Sequence, residues 1–192
     1  MNEVHPTAII ENSTIWENVT VGPYSVIIDS AIQDDVTIDC HVDITNSTIW
    51  KWSEILSKAR IIDNTIGENC SIGCEIKWSR IWAWSNAKHF GTVLRSVTSW
   101  EKCNFGSGVK LANYDGKGKW TFELGENVFI GCNTVISTKA DVTRKIGSNV
   151  KIWALCHVEQ DVSDDSLVYV DRETGVLNCL LYTSPSPRDL AR

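Results

Sequence analysis

A chain of 192 residues with 43% hydrophobic content is long enough for one domain with a sizeable core and too short for two large ones. A formal net charge of −6, with no Lys/Arg cluster along the sequence, argues against a nucleic-acid or anionic-membrane surface as the main partner. No apolar run approaches the roughly 20 residues of a membrane span, and Met1 is followed by polar residues and Pro6, so a cytoplasmic protein is expected.

From its first residues the chain keeps a metre. Aliphatic residues fall at Ile9, Ile15, Val21, Ile27, Ile32, Ile38, Ile44, Ile49, Ile55, Ile61, Ile66 and Ile72, in steps of six and five. Two sixes and a five make 17, and the text repeats at that period: Asn12-Ser13-Thr14-Ile15, Asp29-Ser30-Ala31-Ile32, Asn46-Ser47-Thr48-Ile49, Asp63-Asn64-Thr65-Ile66. The sixfold step returns at Phe105/Leu111, Leu124/Ile130/Ile136/Val142 and Ile146/Ile152/Val158. Helical spacing fits none of this.

The pattern predicts an all-β chain, a left-handed parallel β-helix of about 17 residues per coil. Each flat side of a triangular coil contributes a short strand with an inward aliphatic, and each corner is a tight turn. Burial of such a side chain contributes about 1.5–3 kcal/mol before entropy is counted, and neighbouring coils share it, so no coil is stable alone.

The residue after the inward aliphatic is expected at a turn, where Gly tolerates positive φ and close backbone approach. Gly22, Gly67, Gly73, Gly125, Gly131 and Gly147 occupy that slot, but Trp16, Trp50, Trp82 and Trp153 occupy it too. Trp52, Trp84 and Trp100 also stand where small turn residues are expected, and Trp78 is a less clear case. The expectation is a gene in which UGA encodes glycine, translated with a table that reads UGA as tryptophan. Trp120 lies in a loop without the slot constraint and is read as authentic.

The expected organisation is a β-helix over residues 1–170, a truncated extension over 171–178 and a non-biological tail over 179–192. That tail, beginning Cys179-Leu180-Leu181-Tyr182-Thr183-Ser184-Pro185-Ser186-Pro187, has no repeat and resembles an in-frame translation of a sequencing-library adaptor. The seven cysteines are odd in number and scattered, and are read as reduced; only Cys70 and Cys74 lie close, with no second pair to complete a zinc site.

Three segments carry a family resemblance. They are Glu75-Ile76-Lys77 with Ala87-Lys88-His89 twelve residues on, Asn104-Phe105-Gly106-Ser107-Gly108 with Asn113-Tyr114-Asp115-Gly116, and Gly125-Glu126-Asn127-Val128-Phe129-Ile130-Gly131. With them, the stretch 75–162 resembles the acetyltransferase domain of the GlmU family, hexapeptide-repeat enzymes of UDP-N-acetylglucosamine synthesis. Hexapeptide repeats by themselves fix fold and not reaction.

The resemblance implies that His89 is the general base, taking a proton from a sugar amine as the nitrogen attacks the thioester of acetyl-CoA. An imidazole, with an ordinary pKa of about 6.5, suits that task near neutral pH. It implies Lys77 and Arg60 as holders of the phosphate of glucosamine 1-phosphate, although the spacing from Arg60 to Lys77 departs from the family's. Asn104 and Asn113 are expected to hydrogen-bond the sugar and reacting groups, and Tyr114, Cys132, Ala154 and Arg172 to line the acetyl-CoA side. Cys132 replaces a usual Ser, Thr92 replaces a tyrosine expected three residues after the base, a one-residue insertion lies between His89 and Trp100, and Arg172 falls near the family's late arginine rather than on it.

The implied partners are two further copies in a homotrimer and an amino sugar phosphate; with coils beginning within ten residues of Met1, the expectation is either a free-standing acetyltransferase or a remnant or split half whose partner, a sugar nucleotidyltransferase, is encoded elsewhere. No metal is expected: His5, His41 and His157 do not form the close pair of the related zinc carbonic anhydrases. Two alternatives stand beside this reading. One is a non-catalytic β-helix that assembles or regulates a nucleotidyltransferase, and the other is an acyltransferase for a different amino or nucleotide sugar.

Overall fold

Three parallel sheets joined by tight corners wind the chain into a left-handed β-helix; the computed structural model describes residues 1–139 and 141–181. Strands recur in fixed order, Glu3–Val4 on a first face, Ile9–Glu11 on a second and Thr14–Ile15 on a third, before Thr20–Val21 returns to the first. There is no α-helix among the described residues. Among the described residues the first face has eleven strands, the last of them antiparallel, the second nine and the third eight. The corners are numbered first, second and third as they follow those faces.

The repeat of the sequence becomes the register. Thr14 pairs with Ala31, Ala31 with Thr48 and Thr48 with Thr65, so Ile15, Ile32, Ile49 and Ile66 stack along a single column. Ile27, Ile44, Ile61 and Ile76 stack on the second face, and Val21, Ile38, Ile55 and Ile72 on the first, all at most 1% exposed. The aliphatics lie on the flat sides, not at the corners, and a smaller inward residue two positions earlier fills each corner: Val19, Ser25, Ser30, Val36 and their repeats. At the second corner these small polar residues form a ladder. The Ser47 amide donates to Ser30 Oγ, the Asn64 amide to Ser47 Oγ and the Ser79 amide to Asn64 Oδ1, which satisfies turn amides that the sheets leave unpaired.

Three expectations are corrected. Ile10, not Ile9, is the inward residue of the first coil: it pairs with Ile27, while Ile9 is half exposed, because the five-residue step precedes Ile15. Val142 is exposed, and the inward aliphatics on either side of it are Ile136 on the second face and Ile146 on the third. Positive φ does not belong to the glycine slot after the aliphatic; none of the six glycines expected there has it. Those glycines are selected by contact, as a Cβ on Gly131 would lie 2.4 Å from the Ala154 amide nitrogen.

The left-handed position lies two residues later at the third corner, at Asn18, Asp35, Trp52, Asn69, Trp84, Lys102, Asn127, Asn149 and Asp165. At the second corner it falls on Asn12, Asp29, Asn46, Asp63, Trp78 and Ser96. Trp52, Trp78 and Trp84 therefore take positions that asparagine and aspartate hold on most other coils, at φ of 59°, 54° and 61°.

The last coil ends in Ser166–Val170, against which Leu177–Leu181 runs antiparallel. That strand takes in Cys179, Leu180 and Leu181 of the segment read as adaptor-derived, and residues 182–192 lie outside the described residues.

Candidate functional site

The repeat breaks where the implied site residues sit. At the first corner four residues normally separate two strands, as in Gly22–Ser25. Only Gly73 and Cys74 separate Ser71–Ile72 from Glu75–Lys77, so Ser71 pairs with Asn86 across a coil that is shorter than the usual repeat. The next first corner has five, Lys88-His89-Phe90-Gly91-Thr92, and Glu75 pairs with Val93 across a coil that is longer than usual. The insertion noted after His89 thus lies in the corner that carries His89 itself. A recessed corner beneath a built-out one leaves His89 and Phe90 projecting, with Phe90 78% exposed and Gly91 supplying the positive φ of 87° that the longer turn needs. Among the described residues the His89 imidazole has no hydrogen-bond partner.

Along this first corner, the position of His89 recurs as Ser107, Cys132 and Ala154. At about 4.8 Å per rung, Cys132 lies roughly 10 Å and Ala154 roughly 14 Å from the His89 rung. The residues at these three positions are small, and Gly106 and Gly131 before them pack against the next coil, while the exposed Trp153 and Leu155 flank Ala154 at the far end.

The second face carries the implied phosphate holders. Arg60 and Glu75 pair in its first position, next to the His89 corner, and Lys77 pairs with Arg95 in its third. Glu75 gathers the cations. Its Oε1 accepts Nε and Nη2 of Arg95 at 3.2 and 2.5 Å and lies 3.6 Å from Lys77 Nζ, while Oε2 lies 4.0 Å from Arg60 Nη1. Arg60 Nε also reaches Asp43 Oδ2 at 3.3 Å. The Arg95 hydrogen bond, aided by Lys77 and opposed by partial burial, holds the Glu75 carboxyl below the usual carboxylate range. Sequence reasoning missed Arg95; its signal is the lengthened coil that follows Lys77, which places both in one column.

The remaining expected residues lie elsewhere on this chain. Asn113 and Tyr114 open a loop at the second corner, across the second face from His89. Asn113 is buried and donates to Ser96 Oγ at 3.0 Å, and its carbonyl accepts the Trp120 amide. Tyr114 is exposed, with its hydroxyl on the Gly116 carbonyl. Asp115 Oδ1 ties the loop by accepting the Gly118 and Lys117 amides, which lowers its pKa, and Lys119 Nζ sits 4.2 Å from the Trp78 ring centre. Asn104 is exposed on the first face beside Asn86, and Arg172 is exposed in the terminal hairpin turn. Thr92 is buried, donating to the Gly106 carbonyl, and so is turned away from the projecting His89. No group of three or more His, Cys, Asp or Glu suited to a metal occurs among the described residues, and no helix is long and apolar enough to cross a membrane.

No protein-family model matches the chain. The bifunctional protein GlmU of Gloeothece citriformis is 36% identical over 164 residues, 85% of this chain and 32% of that protein. GlmU of Nostoc sp. is 32% identical over 167 residues, 87% of this chain and 33% of that protein. The chain thus spans about a third of the length of the curated relatives it matches. Among solved structures, the UDP-N-acetylglucosamine acyltransferase of Francisella novicida superposes with a TM-score of 0.71 at 18% identity, covering 92% of this chain and 69% of that one. LpxA of Acinetobacter baumannii gives 0.63 at 16% identity over 92% and 73%. At those identities the structures speak for the fold alone, whereas the curated relatives are 36% and 32% identical over most of this chain, and by them the chain belongs to the GlmU family of hexapeptide-repeat proteins.

Proposed function

We propose that the chain is an acetyl-CoA-dependent N-acetyltransferase acting on an amino sugar phosphate, with glucosamine 1-phosphate as the acceptor, and that it works as a homotrimer with sites in the clefts between solenoids. The observation that carries this reading is the His89 imidazole, projecting without a partner from a built-out corner beside a face that holds Arg60 and Lys77.

In this mechanism Arg60 and Lys77 hold the phosphate, and Asn104 steadies the sugar. His89 accepts a proton from the amine as its nitrogen bonds to the thioester carbonyl carbon, and the carbon–sulfur bond breaks. The imidazolium then returns the proton to the departing thiolate, so that His89 ends each turnover neutral. The small edge at Ser107, Cys132 and Ala154 gives the acyl donor room, and Arg172 contributes a cation to it. Asn113 and Tyr114 stand across the second face from the His89 corner, so a single chain does not gather them at its own His89; a neighbouring subunit's second corner supplies them in the trimer.

A thiol-release assay with acetyl-CoA and glucosamine 1-phosphate tests the reading. The expected result is turnover that falls about 10²–10⁴-fold in His89→Ala, the usual contribution of a general base. Equal rates in the two proteins remove the His89 mechanism, and no release from either favours a non-catalytic module that assembles a nucleotidyltransferase. A different amino or nucleotide sugar as acceptor is the second reading, favoured by the buried Thr92, which offers a sugar none of the contacts of the family's tyrosine.

A further inference from the structure

The second face holds more positive charge than its own structure uses. Arg60, Lys77 and Arg95 surround a single carboxylate, Glu75, and among the described residues only Asp43 adds a second negative group to this cluster, leaving an excess of one positive charge there on a chain whose net charge is −6. Surface ion pairs of this kind contribute little to stability, so a structural role would be met by one cation for each carboxylate. The Lys77 side chain is only 16% exposed, and a lysine held that far from water without full neutralisation gains from a further anion.

Arg95 changes what Glu75 does. Without it, the carboxylate would sit between Lys77 and Arg60 and repel an incoming anion from both. By taking Glu75 Oε1 with two N–H groups, Arg95 neutralises it, and the 42% exposure of its side chain keeps the rest of the fork open. Arg95 alone of the three shares its coil with His89, six residues along the chain at the far end of the second face, with Lys77 beside it on the preceding rung and Arg60 on the rung before that. We propose that Arg95 completes a three-cation clamp with Arg60 and Lys77 for a dianionic phosphate and is the residue that makes acceptor choice depend on that phosphate. The inference rests on the phosphate-holding role proposed above and adds to it a residue that the family resemblance does not supply. A dianion of this kind has two sources, the monoester of an amino sugar 1-phosphate or the pyrophosphate of a nucleotide-linked amino sugar.

The test is calorimetric binding, without any acyl donor, of inorganic phosphate, an amino sugar 1-phosphate, a UDP-linked amino sugar and the unphosphorylated amino sugar. Arg95→Ala is expected to weaken one or both phosphorylated ligands about 10- to 100-fold, the range for a lost hydrogen bond to a charged group, and Arg95→Lys to recover part of it. The arm with the larger loss names the source. Lys110→Ala, which removes another exposed cation from the same face, is expected to stay within about twofold of the parent. Arg95→Ala binding phosphate like the parent overturns the clamp, as does an equal loss in Lys110→Ala, which would mean a diffuse field. The two readings fail separately: Arg95-dependent binding without acetyl transfer keeps the clamp and removes the enzyme, and His89-dependent transfer with no Arg95 effect does the reverse.

Discussion

Alanine is normally better tolerated than glycine, because glycine loses more chain entropy on folding, by about 0.5–1 kcal/mol. Trp52, Trp78 and Trp84 should reverse that order. Each has φ between 54° and 61°, where a side chain costs roughly 1–2 kcal/mol that glycine does not incur. Comparing Trp84→Gly with Trp84→Ala removes the indole in both, so its lost burial cancels and only the backbone contribution remains. The difference is about 0.5–1 kcal/mol in favour of glycine, or a Tm higher by a few degrees for a chain of this size. At Thr37, exposed in an extended strand, alanine should win by a similar margin. Urea unfolding followed by far-UV circular dichroism is the assay, since indole fluorescence would change with the substitution itself. Alanine proving more stable than glycine at Trp84 would refute the backbone argument. The coding DNA is a separate test of decoding: UGA is expected for Trp16, Trp50, Trp52, Trp78, Trp82, Trp84, Trp100 and Trp153, and UGG at those positions would make them genuine corner aromatics.

Other consequences follow from the same stacking. Gly131→Ala should lower stability by about 1–3 kcal/mol, because its Cβ would meet the backbone of Trp153 and Ala154, which no rotamer change can clear; an unchanged urea midpoint would contradict the close packing of those coils. Glu75 has its native pKa below the unfolded value of about 4.3, so its contribution is complete above that pH and is lost as pH falls through the native value. The parent should therefore lose up to about 1 kcal/mol more than Glu75→Gln in acid, and superimposable acid profiles would remove the Arg95–Glu75 pair from the stability balance. Burial pushes the Cys70 and Cys103 thiols up to about 11, so a maleimide at pH 8 should label exposed Cys132 and Cys179 in the native protein and reach Cys70, Cys74 and Cys103 only on unfolding. Native labelling of Cys70 as fast as Cys132 would show that the coil stack opens there.

Most of the fold was legible because one constraint repeats. An inward aliphatic every five or six residues leaves few alternatives, and Ile32, Ile49 and Ile66 read the same in the text as in the stack. The errors fell where the constraint is local. Ile9 and Ile10 are both aliphatic, and only pairing with the next coil decides which faces inward. Positive φ could not be assigned from glycine because asparagine, aspartate and even lysine fill those positions here. The site was less legible for a different reason. Arg60, Glu75, Lys77 and Arg95 meet through one shortened and one lengthened coil, so extending the regular column from Arg60 does not lead to Arg95.

Those departures from the regular repeat carry the functional argument. The early coils pair in one constant step, Glu3 with Thr20, Thr20 with Thr37 and Thr37 with Glu54, and a solenoid made only of such coils would present the same corners along its whole length. Specific chemistry needs a place on that surface unlike the others, and the chain makes it by changing corner length. The first corner shrinks at Gly73–Cys74 and grows beside His89. The second corner lengthens at Asn113–Thr121, so that Val97 pairs with Phe122, and Phe122 pairs in turn with Arg144, each across a coil longer than the early ones. Each change leaves the inward column intact, since Ile76, Leu94, Leu111 and Ile136 still stack at the core. Core packing therefore neither requires these lengths nor accounts for them. A variant that restores the usual length of the His89 corner by deleting Phe90 should stay within about 1 kcal/mol of the parent's stability while losing His89-dependent turnover, because Phe90 is exposed and buries little. If that deletion unfolds the chain, the corner length belongs to the fold, and its claim on the chemistry goes with it.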